Sequence, residues 1–181
     1  NGRLLGRTDK VWLMPFSEAR PFSSWLGASN QDAFVAGDRA RLLHTTAGKV
    51  GVLTCSEAMH PSYVRSVVAT GATLLANPSN DDWFGGMRSA EQPLRQAAFR
   101  AVETRRYLVR TSLGGYTAVI DPWGRQIVVA PFGEPAIAMA EVQPGNLLTL
   151  YVRFGDWLPA LLGVGLVASA WRGRPKDAGR C

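Results

Sequence analysis

A chain of 181 residues with 46% hydrophobic and 19% charged side chains is long enough for one domain with a real core and too apolar to be disordered. The formal charge of +6 comes from 20 basic against 14 acidic residues, and half of it sits in residues 172–181, where Arg172, Arg174, Lys176 and Arg180 face Asp177 alone. A basic tail on a balanced chain argues against nucleic-acid binding, and two cysteines with two histidines argue against a disulfide framework or a metal cluster.

Residues 1–10 are polar and carry no signal-peptide pattern, and the first residue is not Met, so the chain is expected to begin inside a longer protein. Residues 3–6 and 11–14 read as short extended runs. Residues 17–38 mix Ser, Gly, Pro and Asn without a period and read as a long loop, a class that is commonly functional. Strands are expected at 41–45 and 50–54 around an Ala47-Gly48 turn. A helix is expected at 61–70, with Pro61 at its start and Gly71 past its end. A short strand at 73–76 and a polar, aromatic loop at 77–86 follow. Residues 90–106 carry the clearest helical period, with Leu94, Ala97, Ala98, Ala101 and Val102 on one face. Strands are expected at 107–112, 117–120, 126–129 and 136–141, with Asp121-Pro122-Trp123-Gly124 as a hairpin turn. This order predicts an α/β layered fold.

Residues 157–171 carry no charge and are bracketed by Trp157 and Trp171. As a helix they span roughly 22 Å, against about 30 Å for a bilayer core. One reading is a buried core helix. The other is a membrane helix with interfacial tryptophans and a basic cytoplasmic tail, which places the domain on the extracytoplasmic side. The chain then divides into a domain at 1–146, a connector at 147–156, the apolar segment at 157–171 and the basic tail at 172–181.

Cys55 lies between an expected strand and helix, where a turn exposes a nucleophile to backbone N–H groups. A lone cysteine also reads as a small buried hydrophobe. Its activation needs a base or a nearby cation, and Lys10, Glu18, Glu57, His44 and His60 are the candidates. The two histidines have no telling context and read as surface or hydrogen-bonded side chains.

Six segments in order resemble the nitrilase superfamily and, within it, the apolipoprotein N-acyltransferase pattern. They are DKVWLMPFSE at 9–18, GVLTCSE at 51–57, NPSNDDWFG at 77–85, AFRAVETRR at 98–106, TAVIDPWG at 117–124 and YVRFGDW at 151–157. The resemblance implies a partial α-β-β-α sandwich followed by one membrane helix, and a Glu–Lys–Cys triad in which Lys10 matches the lysine and Cys55 the nucleophile. It implies an active-site glutamate at Glu18, able to orient Lys10 by an ion pair. Glu57 would orient the site or contact the incoming amine. Ser56 stands where the family usually has Tyr, beside bound substrate, and Ser17 where it has Gly. Trp83 and Phe84 would form a lid or an acyl-chain wall, while Arg100, Glu103 and Arg105 read as a structural ion-pair network. The implied reaction moves a fatty acyl group from a phospholipid, through a Cys55 thioester, to the N-terminal amine of an apolipoprotein at the outer side of a bacterial inner membrane. No cofactor is implied. The family's triad glutamate lies well before the lysine, and only nine residues precede Lys10, so this chain is expected to be an incomplete part and inactive alone. Two rivals remain: a carbon–nitrogen hydrolase with water as acceptor, and a non-catalytic membrane-attached module.

Overall fold

The structure is a computed structural model that describes residues 6–19 and 34–172. One six-stranded sheet organises it: β1 (Leu42–Thr45), β2 (Gly48–Val52), β3 (Leu74–Asn80), β4 (Leu108–Leu113), β5 (Ala118–Ile120) and β6 (Gln126–Val129), side by side in chain order. The inner strands β2, β3 and β4 run parallel and the outer pairings are antiparallel. Parallel neighbours need a crossover, and the two here are helices α1 (Pro61–Ala69) and α2 (Met87–Thr104).

Both helices cover one face. Gly51, Leu75, Leu108 and Ile120 are successive register partners and therefore share that face. Leu75, Leu108 and Ile120 join Val64 and Val67 of α1 and Leu94, Ala97 and Ala101 of α2 in a single buried cluster. Gly51 is part of the fit: a Cβ there would come within 2.5 Å of Val67 Cγ1, so α1 lies directly on the strand that leads to Cys55.

The other face is apolar too. Val50 pairs with Leu74, Ala76 with Val109 and Val109 with Val119. Beyond β6 the chain is irregular; residues 136–138 lie beside Pro78 and Thr111, and Gly145 N–H donates to Thr73 O at 3.0 Å, so the segment passes along this second face. It ends in a short helix, α3 (Leu150–Phe154), whose Val152 enters the core. Buried Arg106 fastens this arm, donating to the carbonyls of Ala72 at 2.8 Å and Leu147 at 2.7 Å.

Several expected elements differ. The strand at 136–141 is irregular, because no neighbouring strand pairs with it, and Ile137 and Met139 are exposed. The run at 11–14 is also irregular, with only an isolated Pro15–Ala19 bridge after it. The run at 3–6 falls mostly outside the described residues, as does 20–33 of the long loop. The loop expected at 77–86 is extended backbone at its start, because β3 pairs with β4 as far as Asn80 opposite Leu113. The long helix begins at Met87 and stops at Thr104, where Arg105 takes a left-handed φ of +52° and closes it.

The last helix, α4 (Trp157–Arg172), is exposed along its described side chains, so it is not a buried core helix. Its 16 residues reach about 24 Å, and among the described residues no helix is long and apolar enough to cross a membrane. The structure thus contains an apolar, uncovered helix at 157–171 but not the membrane span expected there. Residues 173–181, which hold most of the basic tail, lie outside the described residues.

Candidate active site

β2 ends at Val52 and the backbone turns sharply at Cys55, whose φ is +52°. A left-handed conformation at a non-glycine residue costs on the order of 1–3 kcal/mol and persists only where its surroundings enforce it. A 3-10 turn, Cys55–Met59, follows and delivers the chain to Pro61 and α1. Cys55 is half-buried, and its Sγ lies 4.0 Å from the carbonyl oxygen of Asn80 at the end of β3.

Glu57 sits in the same turn and is 1% exposed. One carboxylate oxygen accepts the N–H groups of Val11 at 2.6 Å and Trp12 at 3.0 Å; the other accepts the Thr54 N–H at 2.7 Å. A single buried side chain therefore ties the segment after Lys10 to the residue before Cys55. The Tyr63 phenol beside it is pushed well above its ordinary value, first by burial and then by the Glu57 charge and hydrogen bond. Both Glu57 oxygens are thus engaged by backbone donors. Ser56, next to it, is 5% exposed, is absent from the cleft lining, and its hydroxyl has no partner among the described residues.

The segment that Glu57 holds carries the lysine. Lys10 Nζ donates to both oxygens of Glu18, at 2.6 and 2.5 Å, with both side chains largely shielded. The Met14 N–H adds a third bond to Glu18 at 2.8 Å. Burial pushes the Glu18 carboxyl up, but the hydrogen bonds from Lys10 and Met14 and the lysine charge outweigh it, and the net shift is downward. Glu18 is therefore a fixed anion at neutral pH that keeps its lysine partner in place. Trp12 stacks on His60, ring centroids 4.7 Å apart, and His44 is exposed on edge strand β1.

Cys55 and Glu18 open onto the same cleft of about 720 Å³, lined also by Ser17, Phe34, Asn80 and Trp83. Trp83 is 54% exposed, and its indole N–H donates to Asn80 O at 2.7 Å, the carbonyl that faces Cys55 Sγ. Phe84 belongs to the 3-10 turn Asp82–Phe84; its side chain lies outside the described residues. Arg100 pairs with Glu103 at 3.0 Å on α2, while Arg105 donates to Pro122 O at 2.9 Å. No group of three or more His, Cys, Asp or Glu side chains able to hold a metal occurs among the described residues.

Three site residues were given no role in the motif reading, although two of them, Asn77 and Asp81, lie in the 77–85 segment. Asn77, Asp81 and Arg110 are each 2% exposed or less, and they form a connected polar group behind Cys55. Asn77 and Asp81 fell in an expected loop and Arg110 in an expected strand, and the pairing of β3 with β4 brings them together.

The family model for carbon-nitrogen hydrolases matches residues 1–149. Curated apolipoprotein N-acyltransferases of Geobacter metallireducens and Gloeobacter violaceus are each 36% identical to this chain, over 86% and 93% of it, and over 31% and 34% of their own lengths. The chain thus spans about a third of the length of these curated relatives. Among solved structures, the fold is similar to a Saccharomyces cerevisiae member of branch 10 of the nitrilase superfamily, with a TM-score of 0.54 and 23% identity over 74% of this chain and 47% of that one. It is also similar to a carbon-nitrogen hydrolase of Helicobacter pylori, with a TM-score of 0.52 and 19% identity over 58% of this chain and 44% of that one. At those identities the likeness concerns the fold alone.

Proposed function

Because this chain belongs to the carbon-nitrogen hydrolase family, we propose that Cys55 is its acyl-accepting nucleophile and that the protein transfers a fatty acyl group from a phospholipid to the N-terminal amine of apolipoproteins. The observation that carries this is one cleft that holds Cys55 at a strained turn together with Glu18, the bidentate partner of Lys10. The similarity to curated apolipoprotein N-acyltransferases supports the substrate class.

The chemistry follows from the groups. The Cys55 thiolate attacks the donor ester carbonyl, and the Lys10 ammonium stabilises the charge that develops on its oxygen. Collapse breaks the ester C–O bond, leaves a thioester on Cys55 and releases a lysophospholipid alkoxide that takes a proton from water, the thiolate having earlier given its own proton to water. The acceptor amine then attacks the thioester, forming an amide, losing a proton and restoring the thiolate. Trp83 and Phe34 at the cleft give an acyl chain an apolar wall.

The surroundings suit lipid substrates. α4 offers an uncovered apolar surface between Trp157 and Trp171, and we assign that surface to the membrane, with the cleft on the extracytoplasmic side. The apolar second face of the sheet is assigned to a second sheet, completing an α-β-β-α sandwich. The test is a labelled acyl-phospholipid supplied to the intact protein. A hydroxylamine-labile label on Cys55 that passes to a diacylglyceryl-cysteine peptide, and is lost in Cys55→Ala, is expected. Release of the acyl group only to water, or turnover of simple amides without any acyl-enzyme from phospholipid, would replace this reading with the hydrolase.

A further inference from the structure

We infer that Arg110 is a positioning residue for Cys55, acting on the nucleophile from behind through two hydrogen-bonded arms. The inference rests on Cys55 being the nucleophile, as proposed above.

The first arm runs through Asn77. Asn77 Nδ2 donates to the carbonyls of Leu53 at 2.5 Å and Cys55 at 3.1 Å, the residues on either side of Thr54 at the turn. Holding two carbonyls on one amide nitrogen fixes the direction of the backbone through the left-handed Cys55. An amide can rotate, but this one cannot: Arg110 Nη1 donates to its Oδ1. The cation also polarises the amide and strengthens its donor end.

The second arm runs through Asp81. Arg110 Nη2 donates to Asp81 Oδ2, which also accepts the Ser112 hydroxyl at 2.7 Å, while Asp81 Oδ1 accepts the Ser79 hydroxyl at 2.7 Å. The Asp81 N–H in turn donates to Leu113 O at 2.7 Å. Four bonds thus fix the residue after Asn80, and hence the carbonyl that faces Cys55 Sγ and accepts the Trp83 indole. Gly115 completes the packing, because a Cβ there would run into the Asp81 carboxylate.

Arg110 is 1% exposed, so its charge is tolerated only because Asp81 neutralises it. The planar guanidinium is required by the geometry: two acceptors, on different residues, are met by its two terminal nitrogens at once. A lysine keeps the charge but places a single nitrogen and cannot span both. A group held this way sets where Sγ points, and misplacement of a reacting atom by about 1 Å can cost on the order of 100-fold in rate.

The experiment is iodoacetamide alkylation of Cys55 in the intact protein, followed between about pH 5 and pH 10, with thermal unfolding measured alongside. Arg110→Lys is expected to lower the limiting thiolate rate by about 10-fold or more. The control is Arg106→Lys, an equally buried arginine that binds carbonyls remote from Cys55, which is expected to lower the unfolding temperature and leave the Cys55 profile in place. A Cys55 profile unchanged in Arg110→Lys, whatever its unfolding temperature, overturns the inference, as does an equal change in Arg106→Lys. If Arg110→Lys does not fold, Asn77→Asp carries the test, since it keeps an acceptor for Arg110 and deletes the donor to both carbonyls; an unchanged profile there overturns the inference equally. Alkylation does not depend on acyl transfer, so failure of the proposed reaction and failure of the positioning role read out separately.

Discussion

The region around Cys55 and helix α4 invert the usual rule of burial, in opposite directions. Around Cys55 the residues sealed from solvent are Glu57, Asn77, Asp81 and Arg110, none more than 2% exposed. Along α4 the exposed residues are apolar: Leu161, Leu162, Leu166 and Trp171 are all at least 61% exposed. A buried polar side chain is tolerated only if its hydrogen bonds are made inside the protein. A large exposed apolar surface signals a contact that the chain itself does not supply. The first region therefore draws most of its hydrogen bonds from within the chain, and the second is built for something else to cover it. Substitutions should separate the two, because polar deletions near Cys55 should cost stability and apolar deletions on α4 should not.

The largest expected loss is at Glu57. Glu57→Ala removes one side chain and strands three backbone N–H donors, those of Val11, Trp12 and Thr54. Leaving a buried donor unpaired costs about 1–3 kcal/mol, so the variant should lose about 3 kcal/mol or more of unfolding free energy in a urea titration. Glu57→Gln should recover only part of this, because its amide nitrogen would face N–H groups. An unchanged unfolding midpoint in the alanine variant would mean that the carboxylate does not hold the two segments together, and the contrast with α4 would collapse.

Much of the sheet and its two helices was legible because apolar spacing reports burial directly. Leu94, Ala97 and Ala101 fall at helical intervals, and all three are in the core. Residues 126–129, an Ile-Val-Val run after the turn at 121–124, form β6. Cys55, Lys10 and Glu18 were legible as motif letters, and the pairing of Lys10 with Glu18 spans only eight positions. The support behind Cys55 was not legible. Asn77 and Arg110 are 33 positions apart, one in an expected loop and the other in an expected strand. Only β-pairing shows that each satisfies the other. The strand expected at 136–141 failed for the converse reason: an apolar run shows that a segment can be a strand, and among the described residues no neighbouring strand supplies the hydrogen-bond partner that would make it one.

A smaller effect sharpens the front of the site. Glu18 has a folded value below its ordinary 4.5, so the ion pair with Lys10 adds stability that is fully present above that value and is lost as pH falls through the lower, folded one. Glu18→Gln removes this contribution at every pH. The difference in unfolding free energy between parent and variant should then be constant at neutral pH and shrink below about pH 4.5, as the parent's carboxyl takes up its proton. A difference that grows toward acid would show that burial, and not Lys10, governs Glu18.

The smallest effect on stability, and the one that most cleanly divides the two regions, is expected at Leu162. Its side chain is 61% exposed on a helix none of whose described side chains is buried. Leu162→Lys should therefore leave the unfolding of the sheet domain within about 0.5 kcal/mol of the parent, as for surface positions generally. Binding to lipid vesicles should respond differently. Placing a lysine in the hydrocarbon region costs about 2.5–3.5 kcal/mol on insertion scales, so partitioning should fall by roughly 100-fold if this helix enters the bilayer. A loss of domain stability instead would mean that α4 folds back onto the protein, and unaltered partitioning would mean that the membrane is not what covers it.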